Sequence, residues 1–210
     1  MDNTYFLIKH PLIDHKMTIL REKDTANNYF RTLVKEITTL MMFQATHQLE
    51  LQKKGIVTPV EGMVGHTLAT DVMVIPILRA GLGMLDAFTD MIPSAGVGHI
   101  GLARNEETLQ PKAYIVKLPK INSETQVFIL DPMLATGGSL NYAIDKVKEK
   151  GAKNIIYLGL VGVLEGIQAV HEKHPDVKIF LAALDRGLNQ HGFIVPGLGD
   201  CGDRLYGKED

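Results

Sequence analysis

The sequence has no tryptophan, a single cysteine, and aromatic residues at only 6% of its 210 positions. With Cys201 alone, an intramolecular disulfide framework is excluded and a reducing compartment fits. Charge of one sign is missing too. Lys and Arg number 22 against 24 Asp and Glu, a net charge of −2, so the balance provides no long-range attraction to nucleic acid or an anionic membrane. No apolar run approaches the roughly 18 residues of a membrane span. Met1-Asp2-Asn3-Thr4 lacks the basic-then-apolar pattern of a secretory signal, and the expectation is a cytoplasmic protein. Low-complexity tracts and internal repeats are also absent.

Hydrophobic residues make up 45% of the chain, a globular composition. At this size about 70% of the unfolded chain's surface is expected to be buried, enough for a core without staples. One domain over residues 1–210 is predicted.

The first quarter reads as helical. After a short strand at Tyr5–Ile8, Asp14 is a candidate cap for one helix and Thr25 for a longer one. In the second helix Phe30, Leu33, Val34, Ile37, Leu40 and Met41 recur at steps of three and four. Apolar strands follow at Val72–Leu78, Val97–Leu102, Tyr114–Leu118, Val127–Leu130, Asn154–Leu160 and Val177–Leu181, with helices at Gly83–Met91, Ser139–Lys150 and Leu164–His174. This alternation predicts an α/β fold: a central, mainly parallel sheet flanked by helices, with the N-terminal helices added. The polar stretch from Arg104 to Lys120 reads as a hairpin or a loop, and the tail from His191 as irregular and glycine-rich.

Ligands of open α/β sheets bind beyond the carboxyl ends of the strands, so the residues after each strand matter most. After Val127–Leu130 comes Asp131-Pro132-Met133-Leu134-Ala135-Thr136-Gly137-Gly138-Ser139, then a helix. A strand, a glycine turn and a helix N-terminus make an anion site, to which Thr136 and Ser139 add hydroxyls. The loop lacks the lysine of a P-loop. Asp131 can accept hydrogen bonds from vicinal hydroxyls, as an acid does from ribose in dinucleotide folds. The plainer alternative is a tight turn with Ser139 capping a helix.

The run Phe128–Ser139 resembles the phosphoribosyl-pyrophosphate (PRPP) motif of type I phosphoribosyltransferases, and its DPMLATGGS form is similar to that of uracil phosphoribosyltransferases. Most type I members have two adjacent acids here; this chain has Asp131 and Pro132, as the uracil branch does. Two further segments carry the resemblance. Ile75–Met84 is similar to the family's pyrophosphate loop, with Arg79 at the ligand position; an arginine there offers a bidentate fork to phosphate. Val97–Arg104 places Arg104 at a second phosphate-contacting position, although Ala103 and Asn105 stand where many members have an aromatic and an aspartate. The segment Glu106–Lys120 corresponds to a projecting hairpin arm in the family.

The tail Phe193–Gly207 resembles the uracil-binding signature. Glycine-rich backbone can match the two carbonyls and the N3–H of uracil and reject the reversed pattern of cytosine. By the resemblance, Ile194 and the Gly199-Asp200-Cys201 backbone hold the base, and Asp200 also faces the donor. Cys201 replaces the usual alanine and is read as a lining residue, since no activating base is in view.

The resemblance implies UMP and pyrophosphate formation from uracil and PRPP through an oxocarbenium-like state. Arg79, Arg104, Asp131 and Asp200 are the catalytic candidates, and residues 131–139 and Asp200 hold the donor. Mg²⁺ is the implied cofactor, with no residue assigned as its direct ligand. Members form homodimers or larger assemblies, and some are activated by GTP. Two other classes fit the sequence less well. An RNA-binding nucleotide sensor is opposed by the charge balance, and a dinucleotide oxidoreductase by the missing Gly-x-Gly-x-x-Gly. Of the remaining candidates, His171 and His174 are read as surface residues rather than metal ligands. Asp185 and Arg186 either support the pocket or form a structural ion pair.

Overall fold

The computed structural model describes residues 5–104 and 111–208, without the side chains of Arg104 and Pro111. In chain order the elements are β1 (Tyr5–Leu7), α1 (Pro11–Arg21), α2 (Asn27–Ala45), β2 (Leu51–Val57), β3 (Gly62–Leu68), β4 (Val72–Leu78), α3 (Leu82–Met91), β5 (Gly96–Val97), β6 (His99–Arg104), β7 (Pro111–Lys117), β8 (Gln126–Leu130), β9 (Met133–Leu134), α4 (Gly138–Glu149), β10 (Asn154–Gly162), α5 (Leu164–Lys173), β11 (Lys178–Leu184), β12 (Gly187–Leu188), β13 (Ile194–Val195) and α6 (Cys201–Tyr206). The main sheet runs β1-β11-β10-β8-β4-β6-β7. All its neighbours are parallel except the terminal β6–β7 pair.

Side chains alternate across a strand, so each buried strand supplies two cores. Val72, Val74, Phe128, Leu130, Leu158 and Phe180 face one helical layer, where α2 contributes Phe30, Leu33, Val34, Ile37 and Met41. Met73, Ile75, Val127, Ile129, Tyr157 and Ile179 face the other, packed on Leu140, Ala143, Ile144 and Val147 of α4 and Ile167 and Val170 of α5. The predicted mainly parallel α/β sheet is the fold observed.

Several local expectations are corrected. His10, not Asp14, caps α1, its Nδ1 accepting from the Leu12 N–H; Pro11 then starts the helix. Ala26 occupies the N-cap of α2, while the Thr25 hydroxyl donates back to the Ile19 carbonyl at 2.6 Å. The strand expected at Val97–Leu102 divides at Gly98, whose N–H is taken by the Val74 carbonyl. The tail from His191 is more ordered than expected, with β13 paired to β12 and the helix α6 after Asp200. Strands β6 and β7 form the expected hairpin, but residues 105–110 of that arm lie outside the described residues. A second hairpin, β2–β3, went unforeseen; it is exposed along nearly its whole length.

Candidate active site

The carboxyl ends of β4 and β8 lie side by side, with Pro76 opposite Leu130 in register. The chain turns sharply after each. Beyond β4 the turn depends on Gly81: a Cβ there would lie 2.4 Å from the Leu130 carbonyl oxygen and 2.7 Å from that of Ile77. Only a residue without a side chain lets the Arg79 loop seat against the end of β8. The Leu78–Arg79 peptide in this loop is cis.

Beyond β8, Asp131 and Pro132 lead through the short β9 to Gly137, which opens α4 at φ +80°. Two unforeseen glycines shape this loop. Gly166 in the first turn of α5 lies so close that a Cβ there would come within 2.2 Å of the Ala135 carbonyl oxygen. Gly159 on β10 leaves space for Tyr157, whose hydroxyl would meet a Cβ there at 2.5 Å. The buried Tyr157 hydroxyl donates to the Asp131 carbonyl at 2.6 Å, anchoring the acid's main chain from beneath.

Arg79, Ala80, Asp131, Ser139, Asp200 and Gly202 line one cavity of about 230 Å³ at these strand ends. The structure thus brings together three segments that are far apart in sequence. Arg79 Nη2 donates to Asp203 Oδ1 at 3.3 Å, and its guanidinium lies against Gly202, where a Cβ would sit 3.6 Å from Nη2. Asp200 caps α6, its Oδ1 accepting from the Asp203 N–H at 2.9 Å. Burial raises the Asp131 carboxyl to about 7, opposed by one long hydrogen bond from the Met133 N–H. Thr136 is exposed on the loop, and Ser139 reaches the cavity from the first turn of α4. Leu102 of β6 also lines the cavity; Arg104 ends that strand, and its side chain is outside the described residues.

Of the four residues expected to hold the base, Asp200 lines this cavity; Ile194, Gly199 and Cys201 do not, Ile194 and Cys201 being buried and Gly199 exposed. Burial, with the nearby carboxylates of Asp131 and Asp200, pushes the Cys201 thiol far above its usual range. That opposes thiolate formation and agrees with a lining role.

The loop ahead of α6 is tied down by residues outside the cleft. Arg21, at the end of α1, forks onto Asp185 at 2.7 and 2.8 Å, and both residues bond to Gly197. Asp185 therefore belongs to an ion pair that also supports the loop, and its partner is Arg21 rather than Arg186. Arg204 donates to the Leu198 carbonyl at 2.9 Å and the Leu20 carbonyl at 2.7 Å, with its guanidinium 4.3 Å from the Phe30 ring centre.

His174 is buried rather than superficial, packed between Lys148 and Asp145. Burial and the adjacent Lys148 lower its pKa. Among the described residues no three His, Cys, Asp or Glu side chains gather as a metal cage, and no helix is long and apolar enough to cross a membrane.

Comparison with known proteins follows the same lines. Residues 7–208 match the family described as uracil phosphoribosyltransferase. A uracil phosphoribosyltransferase of Levilactobacillus brevis is 54% identical over 204 residues, covering 97% of this chain and 98% of the relative. One from Streptococcus pneumoniae is 52% identical over the same span. Among solved structures, the AQ2163 protein of Aquifex aeolicus superposes with a TM-score of 0.93 at 36% identity, covering 97% of this chain and 98% of that one. A hypoxanthine-guanine phosphoribosyltransferase of Bacillus anthracis, at 12% identity, shares the fold with a TM-score of 0.51 over 76% of this chain and 80% of its own.

Proposed function

The chain belongs to the uracil phosphoribosyltransferase family, and from that premise we propose that the cavity between β4, β8 and α6 transfers the 5-phosphoribosyl group of PRPP to uracil, giving UMP and pyrophosphate. The observation that carries this reading is the convergence of Arg79, Asp131, Ser139 and Asp200 on one cavity. A cation, a ribose-facing acid, a helix N-terminus and a glycine-rich backbone suit the four parts of the two substrates. The family match over residues 7–208 supports a single phosphoribosyltransferase domain.

In the reaction, the turn from Thr136 to Ser139 holds the 5′-phosphate on the N-terminus of α4. Asp131, ionised, accepts from the ribose hydroxyls, and Tyr157 fixes its main chain. Arg79 and Arg104 bind the pyrophosphate and offset the charge that develops as the bond to the anomeric carbon breaks. The backbone from Gly199 to Cys201, beside Ile194, presents uracil to the opposite side of that carbon. Rate enhancement comes from orientation and electrostatics, with no protein nucleophile.

Mg²⁺ is the cofactor of this reading. Such an ion would be held by one or two carboxylates together with the substrate's phosphates. Asp131 and Asp200 on one cavity provide such a donor set, so the residues fit an ion that arrives with the donor. Once bound, the ion helps neutralise the leaving pyrophosphate.

A homodimer or larger assembly is the second part of the reading. Support comes from the β2–β3 ribbon, where Val57 is 86% and Val60 91% exposed. A two-stranded ribbon is marginal by itself in water, and a second copy of the chain is the surface proposed to cover it.

The test is a pyrophosphate-release assay with PRPP and Mg²⁺ and, in turn, uracil, cytosine, thymine, hypoxanthine and adenine. GTP is added in parallel, because activation by GTP is an expectation of the resemblance. Uracil-dependent UMP formation is expected, with Arg79→Ala and Asp131→Ala each lowering kcat/KM for PRPP by at least about a hundredfold, roughly 2.7 kcal/mol. Turnover with a purine overturns the base assignment. Silence with every base from folded protein points to the sensor.

A further inference from the structure

The base loop's position is set from outside the cleft. Gly197 sits at φ +65°, and a Cβ there would lie 2.2 Å from the Ile194 carbonyl oxygen, so the main chain packs directly on main chain. Both its backbone polar groups are engaged. Asp185 Oδ2 accepts from the Gly197 N–H at 2.8 Å, and Arg21 Nη1 donates to the Gly197 carbonyl at 2.7 Å. Arg21 and Asp185 are also joined to each other by two hydrogen bonds, at 2.7 and 2.8 Å. The Asp185 side chain is only 6% exposed, and its own N–H is held by the Gly162 carbonyl at the end of β10.

This arrangement ties α1, the end of β11 and the loop before α6 into one unit. It consumes the polar groups of Gly197, while the Asp200 carbonyl is taken by the Arg204 N–H at 3.0 Å, so the clamp and α6 together fix the exposed turn at Gly199 and Asp200. Resting on the proposed uracil reaction, we infer that Arg21 and Asp185 are positioning residues for recognition of the pyrimidine, acting through Gly197. Neither lines the cavity. Their influence falls on the base side, because Arg79, Asp131 and Ser139 are carried by β4, β8 and α4, and Asp200, the one donor-side group on this loop, is fixed separately by capping α6.

A planar fork explains why arginine serves here. One guanidinium bridges a carboxylate and a carbonyl at once, which a single ammonium cannot do with the same geometry. Arg21→Lys keeps the charge and loses the bridge. Asp185→Asn keeps the shape and places an amide donor against Gly197 or Arg21.

The experiment measures kcat and both KM values for the wild type, Arg21→Lys and Asp185→Asn, with PRPP binding followed separately by calorimetry. The expected result is a rise in the KM for uracil of at least about tenfold, with the KM and Kd for PRPP within about twofold. The preference for uracil over thymine should narrow in the same variants. Equal rises in both KM values would show a general structural role and overturn the inference, as would unchanged kinetics beside a lowered Tm. Because Arg21 is partly exposed at the surface, the lysine variant carries the test if the asparagine variant does not fold. Wild-type protein that makes no UMP would instead overturn the proposed reaction, a distinct failure.

Discussion

Arg79 and Asp203 face each other across the mouth of the cleft, Nη2 to Oδ1 at 3.3 Å, both partly exposed. The arginine proposed to receive pyrophosphate is thus bonded to a carboxylate of its own chain, and an incoming phosphate has to compete with it. Partly exposed ion pairs contribute about 0.2–1 kcal/mol. Asp203→Asn should therefore tighten pyrophosphate binding by up to about fivefold, read as a lower inhibition constant. The cap on α6 survives, since Asp203 contributes only its N–H to it.

Asp131 sets a pH dependence. In the proposed reaction its carboxyl, raised to about 7 by burial, has to be ionised to accept fully from the ribose hydroxyls. Below about pH 7, kcat/KM for PRPP should fall roughly tenfold per pH unit, and above it the profile should level. Asp131→Asn should be slow at every pH and lack this limb.

The same group affects stability with the opposite sign. Its folded pKa lies above the unfolded value of about 3.9, so ionisation opposes folding, and stability is lost as pH rises from about 4 through 7. Asp131→Asn should melt above wild type at pH 8, by up to about 4 kcal/mol of stability, with the advantage fading towards pH 4. Thermal scans at the two pH values check this.

Cys201 should be dispensable. Its thiol is buried and held well above its usual pKa, and Cys201→Ala should keep most of the activity. A loss beyond about a hundredfold, roughly 2.7 kcal/mol of barrier, would contradict this.

The exposed ribbon bears on assembly. Val57→Glu with Val60→Glu places charge where the proposed second copy would bury apolar surface, and should shift sedimentation towards the monomer. An unchanged sedimentation coefficient would remove the ribbon from the interface.

The parallel sheet was legible in the sequence because its strands are buried on both faces and appear as unbroken apolar runs, as at Val72–Leu78. The turn proposed to hold phosphate was legible because its chemistry is local: an acid, two glycines and hydroxyls within nine residues. What escaped was either unburied or long-range. Apart from Leu68, which packs at the edge of the core, the β2–β3 ribbon is turned away from it, so its apolar residues follow no burial pattern. Tyr157 and Gly166 serve the phosphate turn from other elements, and neither is unusual in its own neighbourhood. His174 passed for a surface residue because the α4 side chains that enclose it are 26 and 29 residues away.

The junction at Arg204 has a consequence for the protein as it is made. The carbonyls of Leu20 and Glu22 bond to a side chain 184 and 182 residues further along. Synthesis runs from the amino end, so α1 emerges from the ribosome long before the residue that ties it to the loop ahead of α6. A nascent chain stopped before residue 186 would therefore have Arg79, Asp131 and Ser139 but neither Asp200 nor the loop proposed to take the base. Its ability to accept a pyrimidine is acquired in a last step, when one late arginine joins the two ends of the fold.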